Sequence, residues 1–168
     1  MQVHLTDYPQ GGDGFTEYTV EQMQRLVGDA QHDPAIVKAA RTVVAPCRSK
    51  DYYCEAERIF HWVKDNIRYT RDPHNAEWVQ APDVTLREGH ADCDCGAVLL
   101  ASLFSSIGLA SGFEAIRAER NHPDEYSHIY AIVKTPRGWR AADWTVPESH
   151  FGWSPTRAVF GRRVFLNK

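Results

Sequence analysis

The feature that most constrains the fold is a run of apolar and small residues directly after two cysteines. It lies in the segment GHADCDCGAVLLASLFSSIGL, residues 89–109. From Ala97 to Ile107, apolar side chains occur on nearly every side of a 3.6-residue repeat, a pattern typical of a helix buried on most of its surface. Such a helix must be enclosed by other elements. We therefore predict a central helix that begins near Cys93 and ends at Gly108.

The chain before this run predicts further helices. Asp33-Pro34 has the N-cap and first-turn pattern of a helix start, and Thr19 with Gln22 forms a capping box. Together with apolar residues at three- and four-residue steps, these signals predict helices at about 19–30, 33–45 and 50–66. Glycine and proline before residue 15 predict an arm at residues 1–18. We expect an extended segment and then a long, ordered loop at about 68–90.

After the central helix the periodicity changes to that of strands. The segments SGFEAIRAE, YSHIYAIVKT and GWRAADWT predict three short strands, and PRG at 136–138 joins the last two as a hairpin. A late strand is expected at about 158–166. We predict an α+β fold, with helices packed on a small antiparallel sheet and the central helix against it. The 168 residues suit one domain, residues 19–168.

Charge and composition exclude some classes of function. The formal net charge is -3 and the basic residues are dispersed, so a nucleic-acid partner is not expected. No apolar run approaches the roughly 20 residues of a membrane span, so we expect none. The first residues lack the basic and apolar regions of a secretory signal, which predicts synthesis in the cytoplasm.

Four cysteines are too few and too unevenly placed for a disulfide scaffold. Cys47 and Cys54 are close enough in sequence to bridge a short loop in an oxidising compartment. For a chain made in the cytoplasm we expect them to stay reduced.

Cys93 has the position of an activated thiol. It lies where the central helix should begin, and a helix N-terminus lowers the pKa of a thiol. On a helical wheel Cys93 shares its face with Gly96 and Leu100, which should press on the sheet, whereas Cys95 leads toward a face that carries serines. Cys93 is therefore the predicted nucleophile.

His128 and Asp143 are the predicted partners of this thiol. With the hairpin turn at 136–138, residues whose numbers sum to about 271 to 275 should face each other, and side chains on adjacent strands can then hydrogen-bond. A cysteine nucleophile needs a histidine within reach and a third group to orient the imidazole. His128 and Asp143 meet these requirements.

Two other interpretations remain open from these residues. Cys93 and Cys95 could be buried free thiols that act as small apolar residues, with His128 a core histidine and Asp143 a carboxylate at a strand end. Alternatively, the two cysteines could bind zinc with two histidines from His90, His122 and His128. Structural zinc sites favour cysteine pairs at wider spacing, so we expect no metal. No phosphate-binding glycine loop occurs, and no cofactor is expected.

Three segments together, GHADCDCGAVLLASLFSSIGL, YSHIYAIV and GWRAADWT, resemble the core of the transglutaminase-like superfamily of papain-fold cysteine enzymes. The resemblance covers about residues 56–145, including AERIFHWVKDNIRYTRDP upstream, and leaves 146–168 as a C-terminal extension. It implies a papain-like core in which Cys93 is the nucleophile, His128 the general base and acid, and Asp143 the orienting residue. The implied reaction is acyl transfer through a thioester.

The same resemblance implies an oxyanion site formed by the Cys93 backbone N–H and a donor from the preceding loop. Trp78 and Gln80 are the candidates for that donor. Further candidates for the substrate cleft are Asp92, Tyr126 and Trp144. The chain departs from the family pattern in two places, since Cys95 stands where many relatives have an acidic residue and Ala91 replaces the usual glycine.

These residues predict a cysteine protease or hydrolase that acts on protein or peptide substrates. A triad alone does not decide between hydrolysis, deamidation and crosslinking. The segment RDPHNAEWVQAPDVTLREG resembles relatives from tailed phages and prophages, which suggests a phage origin and incorporation into a virion. The alternative is a structural or adaptor component of the virion that binds other phage structural proteins through its two ends.

Overall fold

The computed structural model describes residues 2–4, 13–71, 78–157 and 159–168. Five helices and eight strands occur in these ranges. In chain order they are β1 (Gln2–His4), α1 (Asp13–Ala30), α2 (Pro34–Val44), α3 (Tyr52–Asn66), β2 (Arg68–Tyr69), β3 (Trp78–Gln80), α4 (Pro82–Glu88), β4 (His90–Ala91), α5 (Cys93–Ser106), β5 (Ser111–Arg117), β6 (His128–Thr135), β7 (Gly138–Ala142) and β8 (Gly161–Leu166).

Helix α5 is the centre of the molecule. Every residue from Cys95 to Phe104 is buried. Helices α1 to α4 pack around it, and strands β5 and β6 contact it from the other side. This confirms the prediction of a central helix that begins at Cys93 and is enclosed nearly all round.

Strands β5 to β8 form one antiparallel sheet in the order β7-β6-β5-β8. The predicted hairpin is confirmed, with Thr135 opposite Gly138 and Ala131 opposite Ala142. The late strand is confirmed as β8, which pairs with β5. One face of the sheet supplies apolar residues to the main core around α5, and the other face carries a small cluster: Ile116, Tyr130 and Ile132. The α+β prediction is thus confirmed.

Aspartate side chains cap helices α2 and α5. The carboxylate of Asp33 accepts hydrogen bonds from the N–H groups of Ala35 at 2.8 Å and Ile36 at 3.2 Å, and caps α2. The carboxylate of Asp92 accepts the N–H of Cys95 at 2.9 Å and caps α5. An N-cap acceptor of this kind satisfies first-turn N–H groups that have no partner within the helix.

The predicted start of the first helix was wrong. Helix α1 begins at Asp13 rather than Thr19. The Thr19 hydroxyl donates to the carbonyl of Phe15 at 3.0 Å, the usual bond of a threonine inside a helix, so it does not act as a cap. Phe15 and Tyr18 pack against the core, which gives the extra turns an apolar face. The division into residues 1–18 and 19–168 stays a prediction, although 13–18 are helical.

The predicted loop at 68–90 contains more structure than expected. Strand β2 pairs in parallel with β4, and β3 pairs with β1. Between them, α4 has Pro82 in its first turn and ends at Gly89, whose φ is 69°. Proline at the start and a left-handed glycine at the end are signals of a helix. Seven residues are too few to show clear helical periodicity, so the sequence pattern missed α4.

Cys47 and Cys54 form a disulfide, so the expectation of reduced thiols was wrong for this pair. The bond joins the end of α2 to the start of α3. The short turn between these helices places the two Cα atoms 5.9 Å apart, within the usual range for a disulfide. Cys93 and Cys95 are free.

No helix in the described part of the chain is long and apolar enough to cross a membrane.

Replacing Leu100 by alanine should test the importance of α5 for stability. Leu100 is fully buried, and truncation of such a leucine costs about 2–5 kcal/mol. We expect urea unfolding to show a loss of this size. The control is Val164→Ala on β8, where the side chain is 52% exposed and the change should stay within about 0.5 kcal/mol. Equal effects of the two substitutions would contradict the central role of α5.

Candidate active site

Cys93 is the first residue of α5, directly after the capping Asp92. Its thiol is partly exposed and donates a hydrogen bond to Oδ1 of Asp94, with 3.2 Å between the heavy atoms. The backbone N–H of Ile129 lies near the sulfur and acts to lower the pKa of the thiol. Because Ile129 follows His128, this contact places the thiol beside the backbone at the start of β6.

His128 and Asp143 form a hydrogen-bonded pair where β6 begins and β7 has just ended. Nε2 of His128 lies 2.8 Å from Oδ2 of Asp143, and the side chains are 19% and 1% exposed. The other carboxylate oxygen accepts the backbone N–H of Thr145 at 3.2 Å and its hydroxyl at 2.7 Å. Both oxygens of the buried carboxylate are therefore satisfied.

This environment keeps Asp143 ionised. Burial favours the neutral acid, but the hydrogen bond and charge of His128 and the two bonds from Thr145 outweigh burial and lower the pKa of Asp143. An ionised carboxylate only accepts hydrogen bonds. Nε2 of His128 therefore carries the proton of this bond. In the neutral imidazole, Nδ1 is then the nitrogen that can accept a proton.

The pKa of Cys93 is raised, contrary to the expectation from sequence. Burial and the carboxylates of Asp94 and Asp92 raise the pKa of this thiol well above its ordinary value. The N–H of Ile129 acts in the opposite direction without overcoming these effects. The resting residue is consequently a thiol, which needs a base before it can act as a nucleophile.

Cys95 faces a different element from Cys93. It is buried, and its sulfur accepts the backbone N–H of Gln80 at 3.3 Å, which joins β3 to α5. Burial raises the pKa of this thiol strongly, with Asp92 as the next cause. Such a thiol is unreactive.

The two candidate oxyanion donors from the preceding loop, Trp78 and Gln80, lie on β3. The amide of Gln80 contacts Thr85 and Glu88 at 3.3 and 3.4 Å, so this side chain turns toward α4. Within the described ranges it makes no hydrogen bond to Cys93. The backbone of Trp78 belongs to β3, whereas its side chain lies outside the described part of the structure.

Trp144 packs directly on the first turn of α5. It is 4% exposed, and a Cβ atom added to Gly96 would lie 2.3 Å from Cζ2 of its indole. Only glycine permits this contact. The ring of Tyr69 meets Trp144 edge-on, with 5.9 Å between centroids. The indole N–H is buried, and no acceptor for it lies among the described residues.

The remaining candidates have structural contacts. Asp92 is the N-cap of α5, as described above. The ring of Tyr126 lies under the guanidinium of Arg117, with 4.7 Å between the carbon centre of the guanidinium and the ring centroid. Tyr126 is partly buried against the main core, and no contact joins it to Cys93 within the described ranges.

Three residues of the site were missed from sequence. Tyr69 lies near Cys93: burial raises the pKa of this phenol, and the charge of a thiolate at Cys93 would raise it further. Asp94 bonds the thiol, and Thr145 bonds Asp143. An aspartate two residues before a threonine is a signal of such a local side-chain bond. The positions of Asp94 and Tyr69 depend on tertiary packing and have no comparable signal.

Besides the predicted triad, two other kinds of site are relevant to the described residues: a metal site and a surface cleft. No group of three or more metal-ligating side chains occurs among the described residues. A cleft of about 430 Å³ lies on the sheet face that carries Ile132 and Val164, and Trp139, Arg140 and Arg162 also line it. This cleft contains none of the residues predicted for the site.

The sequence matches a known family, and the fold is similar to that of solved structures. Residues 38–144 match the family described as the Transglutaminase-like superfamily. Among curated proteins, none matches the sequence.

Two solved structures are similar in fold. A candidate protease from Parabacteroides distasonis superposes on 79% of this chain with a TM-score of 0.56 and 12% identity. A candidate cysteine protease from Cytophaga hutchinsonii superposes on 76% with a TM-score of 0.53 and 16% identity. The chain spans 27% and 41% of these two proteins.

Gly96→Ala should disrupt the packing of Trp144 on α5. The new methyl group would overlap the indole, and overpacking of this kind costs about 1–3 kcal/mol. We expect lower stability in urea and an altered alkylation rate at Cys93. The matched control is Gly28→Ala in α1, where an added Cβ meets nothing within 4 Å. If Gly96→Ala changes neither the stability in urea nor the alkylation rate at Cys93, the packing of Trp144 on α5 is not required for either.

Asp94→Asn should make Cys93 more reactive. Removing the carboxylate that bonds the thiol lowers the pKa of Cys93, and each unit raises the thiolate fraction about tenfold. We expect iodoacetamide to label Cys93 severalfold faster at pH 7, measured by peptide mass spectrometry. Asp124→Asn, in the exposed loop before β6, is the control. An unchanged or slower rate would exclude this role for Asp94.

Asp143 should stabilise the fold in a pH-dependent way. Because folding lowers its pKa, its contribution is fully present above the unfolded value of about 3.9 and is lost as pH falls through the folded value. Asp143→Asn should therefore be less stable than the parent at pH 6, with a difference that shrinks below about pH 4. Urea unfolding across this range measures it, with exposed Asp65→Asn as control. A difference that is constant with pH would contradict the assignment.

Proposed function

Since the chain belongs to the transglutaminase-like superfamily, we propose that it is a cysteine enzyme that transfers acyl groups from peptide or carboxamide substrates through a thioester on Cys93. One observation carries the proposal. A buried, ionised Asp143 bonds His128, and the backbone N–H of the residue after His128 lies near the sulfur of Cys93. This combination supplies a nucleophile, a base and an orienting group.

In the first step, the thiol proton of Cys93 moves to Nδ1 of His128 while the sulfur attacks the substrate carbonyl carbon. This attack forms a tetrahedral intermediate. The imidazolium then gives its proton to the leaving amine as the C–N bond breaks, which leaves a thioester. Water or a second amine attacks the thioester, His128 accepts a proton from it, and Cys93 regains its proton as the product leaves.

Asp143 holds the imidazole in the tautomer that this sequence requires. Its carboxylate fixes the proton on Nε2 and offsets the charge of the imidazolium. Thr145 holds the carboxylate in turn. The charge on the carbonyl oxygen would be stabilised by the N–H groups at the start of α5, including that of Cys93, because first-turn N–H groups lack partners within a helix.

The raised pKa of Cys93 affects how the nucleophile forms. A resting thiol is a weak nucleophile at neutral pH, so proton transfer to His128 accompanies the attack instead of preceding it. The carboxylate of Asp94 beside the thiol disfavours a free thiolate. Catalysis would then depend more strongly on His128 than in a site with a preformed thiolate.

Hydrolysis is the outcome that we propose for the thioester, because water needs no dedicated acceptor site. The structurally similar proteins described as candidate proteases agree with this choice at the level of the fold. Deamidation and crosslinking use the same acyl-enzyme with a different carbonyl or acceptor. A phage origin and a structural role in a virion remain predictions from sequence.

A mixture of unstructured synthetic peptides and a fluorescent primary amine tests the proposal in one assay. Mass spectrometry distinguishes cleaved peptides, deamidated side chains and amine adducts. We expect product from the parent protein and at least about 100-fold less from Cys93→Ala and His128→Ala. Cys95→Ser, which changes the buried thiol bonded to Gln80, is the control and should retain activity. Equal activity of Cys93→Ala and the parent protein would exclude the mechanism.

A further inference from the structure

The ammonium of Lys64 is surrounded by oxygen atoms from one short segment. Lys64 lies in the last turn of α3. Its Nζ donates to the carbonyls of Val146 at 3.1 Å and Pro147 at 2.9 Å, to the hydroxyl of Ser149 at 2.9 Å, and to the carbonyl of Ser149. An ammonium has three N–H donors, so all of them are used within this segment.

These contacts are not explained by ion pairing. No carboxylate forms a salt bridge with Lys64 in the described part of the chain, and the four acceptors are neutral. The C-terminal end of a helix favours a cation, which suits the last turn of α3. The side chain is only partly exposed. Its charge is thus compensated by carbonyl and hydroxyl dipoles that must stay in place around it.

The segment that Lys64 holds follows the orienting aspartate directly. Asp143 and Thr145 are hydrogen-bonded to each other, and Val146 is the next residue. Ser149 closes the segment as a turn, since its N–H and hydroxyl both donate to the carbonyl of Val146, at 3.2 and 2.9 Å. A shift of this turn would move Thr145 and, through it, the carboxylate of Asp143.

The same end of α3 is also joined to the nucleophile. Strand β2 begins at Arg68, soon after Lys64, and pairs with β4, which ends at Ala91, two residues before Cys93. The N–H of Arg68 donates to Gly89 at 2.9 Å, and that of Thr70 donates to Ala91 at 2.8 Å. The end of α3 and the strand that follows it therefore contact the segments on both sides of the site.

We propose that Lys64 is a positioning residue for acyl transfer, which holds the turn at 146–149 so that Asp143 can orient His128. The inference rests on the proposed function of the Cys93 site. Lys64 has no contact with the reacting atoms and acts through the turn and Asp143. Without the ammonium, three backbone carbonyls each lose one donor, and the turn can shift. A misplacement of about 1 Å at a catalytic group can cost a hundredfold in rate.

Two readouts that need no known substrate test this role. The first is the downfield proton resonance of His128 Nε2–H, bonded to Asp143 and assigned by its absence in His128→Ala. The second is the His128-dependent labelling rate of Cys93 by iodoacetamide, which is the rate in the parent protein minus the rate in His128→Ala. For Lys64→Met we expect the resonance to broaden and the labelling rate to fall roughly ten- to hundredfold. Lys38→Met, an exposed lysine on α2, is the matched control and should resemble the parent.

Further variants separate positioning from a general loss of structure. Lys64→Arg keeps the charge and N–H donors and should recover much of the labelling rate. If circular dichroism shows that Lys64→Met is unfolded, Lys64→Gln replaces it. Glutamine is uncharged but keeps two N–H donors, and the same resonance and labelling rate are measured. If a folded variant with an uncharged residue at position 64 matches Lys38→Met in both readouts, the inference is overturned.

The outcomes also separate this inference from the proposed function. If labelling of Cys93 in the parent protein does not depend on His128, the proposed function fails and the Lys64 role falls with it. If labelling depends on His128 but not on Lys64, only the positioning role is wrong. If both dependences are found, with rescue by arginine, the role of Lys64 is established.

Discussion

Burial of helix α5 is the constraint on which the rest of the structure depends. Ten consecutive residues, from Cys95 to Phe104, are inaccessible to solvent, which requires helices on one side and a sheet on the other. The first turn of this helix is nevertheless polar, with Asp92 as its cap and a partly exposed thiol at Cys93. The elements that enclose α5 therefore also bring their own polar groups to its N-terminal end.

At the N-terminal end of α5, the surroundings raise the pKa of Cys93 and lower that of Asp143. Burial and two neighbouring carboxylates keep Cys93 protonated, whereas Asp143 is held ionised by His128 and Thr145. The pKa values of neighbouring groups at this end are thus shifted in opposite directions, a feature that is common at functional sites. Trp144 packs against Gly96 in the first turn of α5 and meets the ring of Tyr69 edge-on.

Sequence patterns predicted the elements with long, repeated signals. The helix after Cys93, the hairpin that carries His128 and Asp143, and the cap of α2 all have local causes within a few residues. The start of α1 and helix α4 were missed because Thr19 bonds within its own helix and α4 is only seven residues long. The Cys47–Cys54 bond depends on how α2 and α3 meet, which spacing alone does not decide.

By itself, the sequence determined the α+β fold, the family and the identity of the three candidate catalytic residues, because periodicity and local motifs carry that information. Only the tertiary structure decided the state of Cys93 and the contacts of the groups around it. The pKa of a thiol depends on charges and burial within a few ångströms, and Lys64 reaches residues 82 to 85 positions away. Interactions between residues so distant in sequence leave no local pattern, since folding alone brings them together.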